Sequence, residues 1–395
     1  MYIKIVGDGV TYLPYARHNH DPSVITCADG SVLAAWFSCY EEPGREVGIA
    51  ASRLEPGAEE WGNATVLLDT PDRCECCPAF YQDEASGQLY IFSSVSAAGT
   101  YDDLAVYARA SGDCGRTWGE PSIVLAEHGI SHQVVVSIVR RSSDGSVLMP
   151  ADHWGQEPFA YRGDQSVIQH AAQGENLGAL GTWSTAGNAG NTNAHHFTLA
   201  ELANGSFLGV GRGHDVNGTL AQSYSLDGGH TWLPPMGQMS AFPGIHGGQR
   251  MVMLRAGPQG SSPSASPLML CSFANSPTPM PCGGGEGGGQ GTLDVTGLYC
   301  ALSSDQGQSW GTRRVITDDY SAQGHMQEGF DGKPFKMSYN AGEPDGYMSA
   351  AMDREGSVNL ITSRNHYVFN VEWLASPAPC APSQEHGAPS LTEIK

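Results

Sequence analysis

The residues with the most chemistry in this 395-residue chain are arginines, histidines and a knot of cysteines. Arg45, Arg73, Arg212 and Arg250 carry guanidinium forks of the kind that bind a planar carboxylate or sulfate bidentately, and the chain has 16 Arg against 4 Lys. His18, His20, His132, His196 and His366 titrate near neutral pH and suit proton transfer, a role that Tyr347 or Tyr367 can share and that Glu343 can support. The stretch PDRCECCPAF at 71–80 holds three of ten cysteines within four positions. It lacks the paired C-x-x-C spacing of a zinc ribbon; His18 and His20 can face the same way from an extended segment, but no third ligand is evident, so no metal is expected there. A thiolate nucleophile activated by Arg73 is a minor reading, because nothing else marks a Cys-His enzyme.

Elements must bring these scattered residues together, and the turns show how. Three segments, SGDCGRTW at 111–118, SLDGGHTW at 225–232 and SSDQGQSW at 303–310, share the pattern S-x-D-x-G-x-[ST]-W. The pattern describes a tight hairpin in which Asp binds its own turn, Gly takes φ > 0 and Trp packs between sheets. A second series of small turns has glycines at 30, 87, 145 and 205, gaps of 57, 58 and 60 residues, which is the length of a four-stranded repeat. In each repeat the turn between the first two strands and the Asp turn share one rim. The loops leading into the first strand and out of the second open on the other rim, and the arginines and histidines named above lie in those loops. A loop histidine or arginine taken singly is more often a solvated or turn residue than a catalyst. Their recurrence in nearly every repeat is what points to a ligand site in one mouth.

Composition sets the outer limits. Gly 51, Pro 24 and 15% charged residues describe a turn-rich all-β protein. A formal charge of −21 argues against nucleic acid or an anionic membrane as partner, and no apolar run approaches the ~20 residues of a membrane span. Residues 1–374 read as a single domain and 375–395 as a Pro/Ser-rich tail expected to be disordered. The run GGGEGGG at 283–289 reads as a flexible insertion. Ten cysteines and sequons at Asn63, Asn204 and Asn217 lean toward secretion; residues 1–6 lack a signal peptide's apolar core, so the alternatives are a trimmed mature chain or a cytosolic one. Cys27 with Cys39, and Cys271 with Cys282, are candidate local disulfides, with connectivity left open.

The three Asp-turn segments are Asp-boxes, and through them the chain resembles the sialidase-like β-propellers. HNHDP at 18–22, GRE at 44–46, PDR at 71–73, GRG at 211–213, GGQR at 247–250, EPDGY at 343–347 and SRNHY at 363–367 narrow the resemblance to the propellers that act on L-rhamnose α-1,4-linked to D-glucuronate, known as lyases and as α-L-rhamnosidases. That family is described as seven-bladed, whereas direct counting finds six clear repeats, with residues 318–340 long enough for part of a seventh. Residues 2–6 can supply the outer strand of the last repeat and leave no open edge.

The resemblance implies β-elimination or hydrolysis at rhamnose-glucuronate caps of arabinogalactan-type glycans. Arg212 and Arg250 then anchor the carboxylate and sugar, His132 or His196 is the base, and Tyr347 is the acid or second donor. His18, His20, Arg45, Arg73, Glu343, His366 and Tyr367 would line the substrate. One of the histidine pair at 18 and 20 could instead activate water. No cofactor is required, although a structural Ca2+ is compatible, and a monomer is expected. Two other readings stand beside this one. An exo-sialidase would use Arg212, Arg250, Tyr347 and Glu343, but the Arg-Ile-Pro of that family is missing. A non-catalytic glycan-binding propeller is suggested by Cys76 or Cys77, which falls where relatives bring a histidine.

Overall fold

The computed structural model describes residues 2–4, 18–40, 42, 44–101, 103–126, 133–153, 165–188, 194–213, 219–234, 236–243, 252–256, 266–283, 291–317 and 324–380. Strands dominate them. The first antiparallel sheet is His18–Thr26, Val32–Cys39, Glu46–Leu54 and Thr65–Leu68, and the second is Arg73–Gln82, Leu89–Ser96, Leu104–Ser111 and Ser122–Leu125. A short parallel pairing of Glu46 with Arg73 and Val47 with Cys74 joins the two. The third sheet is Val139–Arg140, Val147–His153, Gln165–Ala171 and Ser184–Asn188; the fourth is Ala194–Glu201, Phe207–Gly213, Thr219–Ser225 and Met236–Pro243. The fifth comprises Val252–Arg255, Leu268–Cys282, Gly291–Ser303 and Thr312–Val315. The sixth comprises Ser349–Met352, Ser357–Ile361 and Asn365–Asn370, with Tyr2–Lys4 pairing on its outer edge as expected.

Six four-stranded units form among the described residues, where the sequence shows six clear repeats and the resemblance implied seven. Within residues 324–340 lies a two-stranded ribbon, His325–Glu328 with Pro334–Met337, joined through a 3-10 turn at Phe330–Gly332. One inner strand or its leading segment from each unit lines a single cavity of 510 Å³. No sheet closes on itself among these residues, yet hydroxyl groups bridge neighbouring inner strands. The Phe80 amide donates to Ser23 Oγ at 2.9 Å, Leu199 to Ser137 Oγ at 3.2 Å and Met253 to Thr198 Oγ1 at 3.2 Å. Val24 donates to Ser349 Oγ at 3.2 Å and so ties the first sheet to the sixth. Inner strands would otherwise present unpaired amides to the cavity, which is costly away from water.

The turn chemistry follows the sequence closely. Gly30, Gly87, Gly145 and Gly205 all have φ between 71° and 85°. In the Asp-boxes, the carboxylates of Asp113, Asp227 and Asp305 each accept the amide and hydroxyl of the Thr or Ser four residues on. A Cβ on Gly115, Gly229 or Gly307 would fall 2.5, 2.4 or 2.3 Å from a methyl of Leu33, Leu148 or Leu208, each at the start of the preceding sheet's second strand. The Asp-box glycine thus serves as the contact surface between consecutive sheets, and Trp232 and Trp310 are buried beside it.

The disulfides differ from the local pairs expected. Cys27 bonds Cys114, Cys271 bonds Cys300 and Cys282 bonds Cys380. Cys27 and Cys39 lie at opposite ends of an eight-residue strand, about 25 Å apart at roughly 3.3 Å per residue, and Cys271 and Cys282 share one strand. The boundary placed at 375 also moves. The helix Val371–Ala375 runs across it, the Gly283 amide donates to Ala378 O at 2.9 Å, and Cys380 is bonded, so residues 375–380 belong to the packed unit.

Candidate active site

The mouth is built by a bulge repeated at the leading end of the inner strands. Pairing slips between His20 and Ser23, between Cys76 and Ala79, and between His195 and Thr198. The residue inside each slip is left-handed: Asp21 at φ 53°, Cys77 at 54° and His196 at 51°, with Gln133 at 43° in the third unit. Such a conformation costs a non-glycine residue roughly 1–2 kcal/mol, and four instances at one end of one ring indicate a constrained site. The bulge sets the equivalences. Cys76 occupies in the second sheet the position that His20 holds in the first and His195 in the fourth.

At the centre of the cluster His20 lies on Tyr347, with ring centroids 4.0 Å apart, and on Phe330 at 4.5 Å, with Phe37 edge-on at 5.4 Å. Arg212 Nη1 donates to the Tyr347 hydroxyl. The His196 ring meets the other side of Tyr347 edge-on at 5.6 Å. Arg212, His196, His20 and Tyr347 come from the fourth, first and sixth sheets, so only the fold makes them neighbours. His20, His196 and Tyr347 are 4%, 4% and 7% exposed. A sugar must therefore displace part of the cover to touch them, and the Phe330 ring is part of that cover.

His18 is held between two acids. Its Nδ1 lies 2.6 Å from Asp331 Oδ1 and its Nε2 lies 2.5 Å from Glu42 Oε2, while the Tyr101 hydroxyl donates to Glu42 Oε1. Burial works to lower the His18 pKa, but the hydrogen bonds and charges of Glu42 and Asp331 outweigh it and the net shift is upward. Burial likewise raises Glu42, and its bond to His18 with the neighbouring positive charge carries it below its ordinary value. With a carboxylate on each nitrogen, both ring nitrogens donate. In the protonated form both are taken up by these two acids, an arrangement that disfavours His18 as the residue activating water.

Several expected substrate contacts are otherwise engaged. Arg45 forks onto Asp72, with Nε–Oδ1 at 2.6 Å and Nη2–Oδ2 at 2.7 Å, and Arg73 Nη1 donates to the Asp72 carbonyl at 3.0 Å. Glu343, His366 and Tyr367 are buried and bonded within the sixth sheet and the segments beside it. Glu343 Oε2 accepts from Thr362 Oγ1 at 2.7 Å, Asn365 Nδ2 at 3.0 Å and the Tyr367 hydroxyl at 2.9 Å, and burial raises its pKa to about 7. His366 Nε2 meets Asn359 Oδ1 at 3.0 Å, and burial lowers its pKa to about 4. Gly346, between Glu343 and Tyr347, has φ 130°. His132 and Arg250 lie outside the described residues.

Cys39, Cys74, Cys76 and Cys77 form no disulfide and are buried. The expectation that one of Cys76 and Cys77 pairs while the other lines the mouth is not met, because strand Arg73–Gln82 packs both into the core beside Leu104 and Val134. Hydrogen bonding to Cys74 and Cys77, together with burial, holds the Cys76 thiol well above its ordinary value; burial and the Glu42 charge raise Cys39 to about 12. Neither is a ready nucleophile. Among the described residues no group of three His, Cys, Asp or Glu is placed to hold a metal ion.

Sequence reasoning missed Glu42, Tyr101, Phe330 and Asp331. Phe330 and Asp331 sit far along the chain from His20 and His18. No local pattern marks either one.

Comparison with known proteins fits this architecture. The model of the BNR repeat-like domain matches residues 30–341. Among solved structures, a mutant NanB sialidase from Streptococcus pneumoniae superposes with a TM-score of 0.59 at 10% identity, over 90% of this chain and 69% of that one. The intramolecular trans-sialidase from Ruminococcus gnavus gives 0.56 at 13% identity, over 91% and 96%. A Dyadobacter fermentans protein of unknown function gives 0.60 at 12% identity, over 93% and 97%. These likenesses show a sialidase-like fold. No curated protein matches the chain.

Proposed function

This chain belongs to the BNR repeat-like domain family, and on that footing we propose that it is a six-bladed propeller enzyme acting on the carboxylate-bearing end of an acidic glycan. The observation that carries the reading is the meeting of Arg212 and His196 of the fourth sheet with His20 of the first and Tyr347, just ahead of the sixth. A guanidinium, a phenol and imidazoles are the groups needed to hold a sugar carboxylate and move protons beside it. Three disulfides support an oxidising, secreted setting.

Two imidazoles on one tyrosine favour β-elimination at L-rhamnose α-1,4-linked to D-glucuronate. Arg212 neutralises the uronate carboxylate while His196 takes the C5 proton. The electrons of that C–H bond form the C4=C5 double bond, the C4–O bond breaks, and Tyr347 gives its proton to the departing oxygen. The products are free rhamnose and an unsaturated uronate.

Exo-sialidase hydrolysis is the second reading, favoured by the fold shared with the two sialidase structures. There Arg212 would hold the sialate carboxylate and Tyr347 would attack the anomeric carbon. That chemistry needs a carboxylate on the nucleophilic tyrosine, and Glu343 receives a hydrogen bond from Tyr367 instead.

Incubation with gum arabic or a rhamnosyl-glucuronate disaccharide, and in parallel with a sialyllactose, separates the readings. Rhamnose released with ultraviolet absorbance of the unsaturated uronate means elimination. Rhamnose without absorbance means hydrolysis, sialate release means a sialidase, and retention of glycan without turnover means a binding module and ends the enzyme reading.

A further inference from the structure

Asp152 lies in the second strand of the third sheet, is 1% exposed, and faces the bulge of the fourth. The His196 amide donates to both of its carboxylate oxygens, at 2.8 and 2.9 Å, and Ser166 Oγ donates to Oδ1 at 3.0 Å. Its Oδ2 is also 3.3 Å from His196 Nδ1, a close approach without full hydrogen-bond alignment. A carboxylate withdrawn from water this completely is tolerated only when donors converge on it. Here the backbone amide of a left-handed residue and the hydroxyl of Ser166 are among those donors.

We propose that Asp152 is a positioning residue for His196, holding its strained bulge and keeping the ring proton on Nδ1 so that the Nε2 lone pair faces the mouth. Two independent features meet in this carboxylate. His196 at φ 51° turns its N–H out of the strand ladder, and Asp152 is what receives it. The same carboxylate sits beside Nδ1, the nitrogen remote from catalysis in any arrangement that offers Nε2 to a substrate. A buried anion there favours the protonated ring as it gains its second proton, which strengthens Nε2 as a base. The inference rests on the reading of His196 as the base of the proposed elimination. In that step Nε2 forms a new N–H bond with the C5 proton, while the proton on Nδ1 stays where it was.

The test uses 15N-histidine-labelled protein, with His196 assigned by the loss of its signals in His196→Gln. Neutral wild-type His196 is expected as the Nδ1–H tautomer, and the Nε2–H tautomer would overturn the proposal without any variant having to fold. Asp152→Asn is expected to lower the His196 midpoint by about a unit or more and kcat by at least about tenfold, with KM little changed. Asp152→Glu should recover part of both. A folded Asp152→Asn whose His196 titration is unmoved would refute the idea. Should wild-type protein turn over no glycan while His196 is still the Nδ1–H tautomer moved by Asp152→Asn, the positioning stands and the reading of the reaction fails.

Discussion

Tyr347 and Arg212 carry the proposed chemistry at the scale of single residues. Tyr347→Phe keeps the ring on His20 and removes only the hydroxyl; the expected loss in kcat is about 10²–10⁴-fold with unchanged thermal stability, read by rhamnose release and a melting curve. Arg212→Lys trades a planar fork for a point charge and should raise KM and lower kcat together. His18 makes a different prediction, one of stability against pH. Its folded pKa is above its ordinary 6.5, so its bonds contribute fully below 6.5 and are lost as pH rises through the folded value. Glu42 is shifted below 4.5, so its share is present above 4.5 and lost as pH falls through its folded value. The gap in melting temperature between wild type and His18→Gln should therefore be widest from about 4.5 to 6.5 and shrink on both sides. A gap independent of pH would mean that His18 is held by packing alone.

Among the elements, the turn Phe330–Gly332 and the Asp-box hairpins do distinct work. The turn covers His20 with the Phe330 ring and is latched to the first sheet by Asp331 on His18. Its ribbon is tied to the sixth sheet by Arg364 on Glu328 at 2.6 Å. Opening of this turn is a way for a sugar to reach Tyr347. Phe330→Ala should then speed access of small substrates and weaken their binding, seen as a higher KM with kcat retained or raised. The Asp-box prediction concerns packing. In Gly229→Ala, a Cβ would stand 2.4 Å from Leu148 at φ 94°, so overpacking and backbone strain add, and a loss of about 2–4 kcal/mol in urea unfolding is expected. Gly57, at φ 75° with open space around it, is the control, and alanine there should cost only the backbone term of about 1 kcal/mol.

Buried titrating groups couple to the stability of the whole molecule with opposite signs. His170 and His366 are lowered to about 4, chiefly by burial, so between 4 and 6.5 the unfolded chain binds more protons and stability falls as pH drops. Burial raises Glu75 and Glu343 to about 7, so between 4.5 and 7 the folded chain binds more protons and stability falls as pH rises. The two pairs offset each other between 4.5 and 6.5, where a nearly flat urea midpoint is expected. Glu343→Gln removes one acid, and its midpoint should climb with pH over that window. A wild-type midpoint that rises steeply there would show that the carboxylates are not neutral in the fold.

Repetition and turn chemistry were legible in the sequence because they are local. Asp-box spacing and the turn glycines announce hairpins, and hairpins of one length announce an all-β repeat with one mouth. The placing of His20, His196, Arg212 and Tyr347 at that mouth follows from the same logic, since each stands at a strand's leading end or close to its bulge. What remained hidden depends on direction and on distant partners. Neighbours supplied by other elements decide what a side chain at a bulge meets, and so Cys76, at the position that His20 holds, packs in the cluster of Leu104 and Val134 while His20 meets Tyr347. Whether an arginine is free for substrate depends on carboxylates elsewhere, and so Arg45 is held by Asp72 while Arg212 reaches Tyr347. The sequence by itself determined the repeat, its turns and the kinds of residue gathered at one rim. Only the tertiary structure decided which of them meet, because those contacts join different sheets, and it is packing between sheets, not spacing along the chain, that sets them.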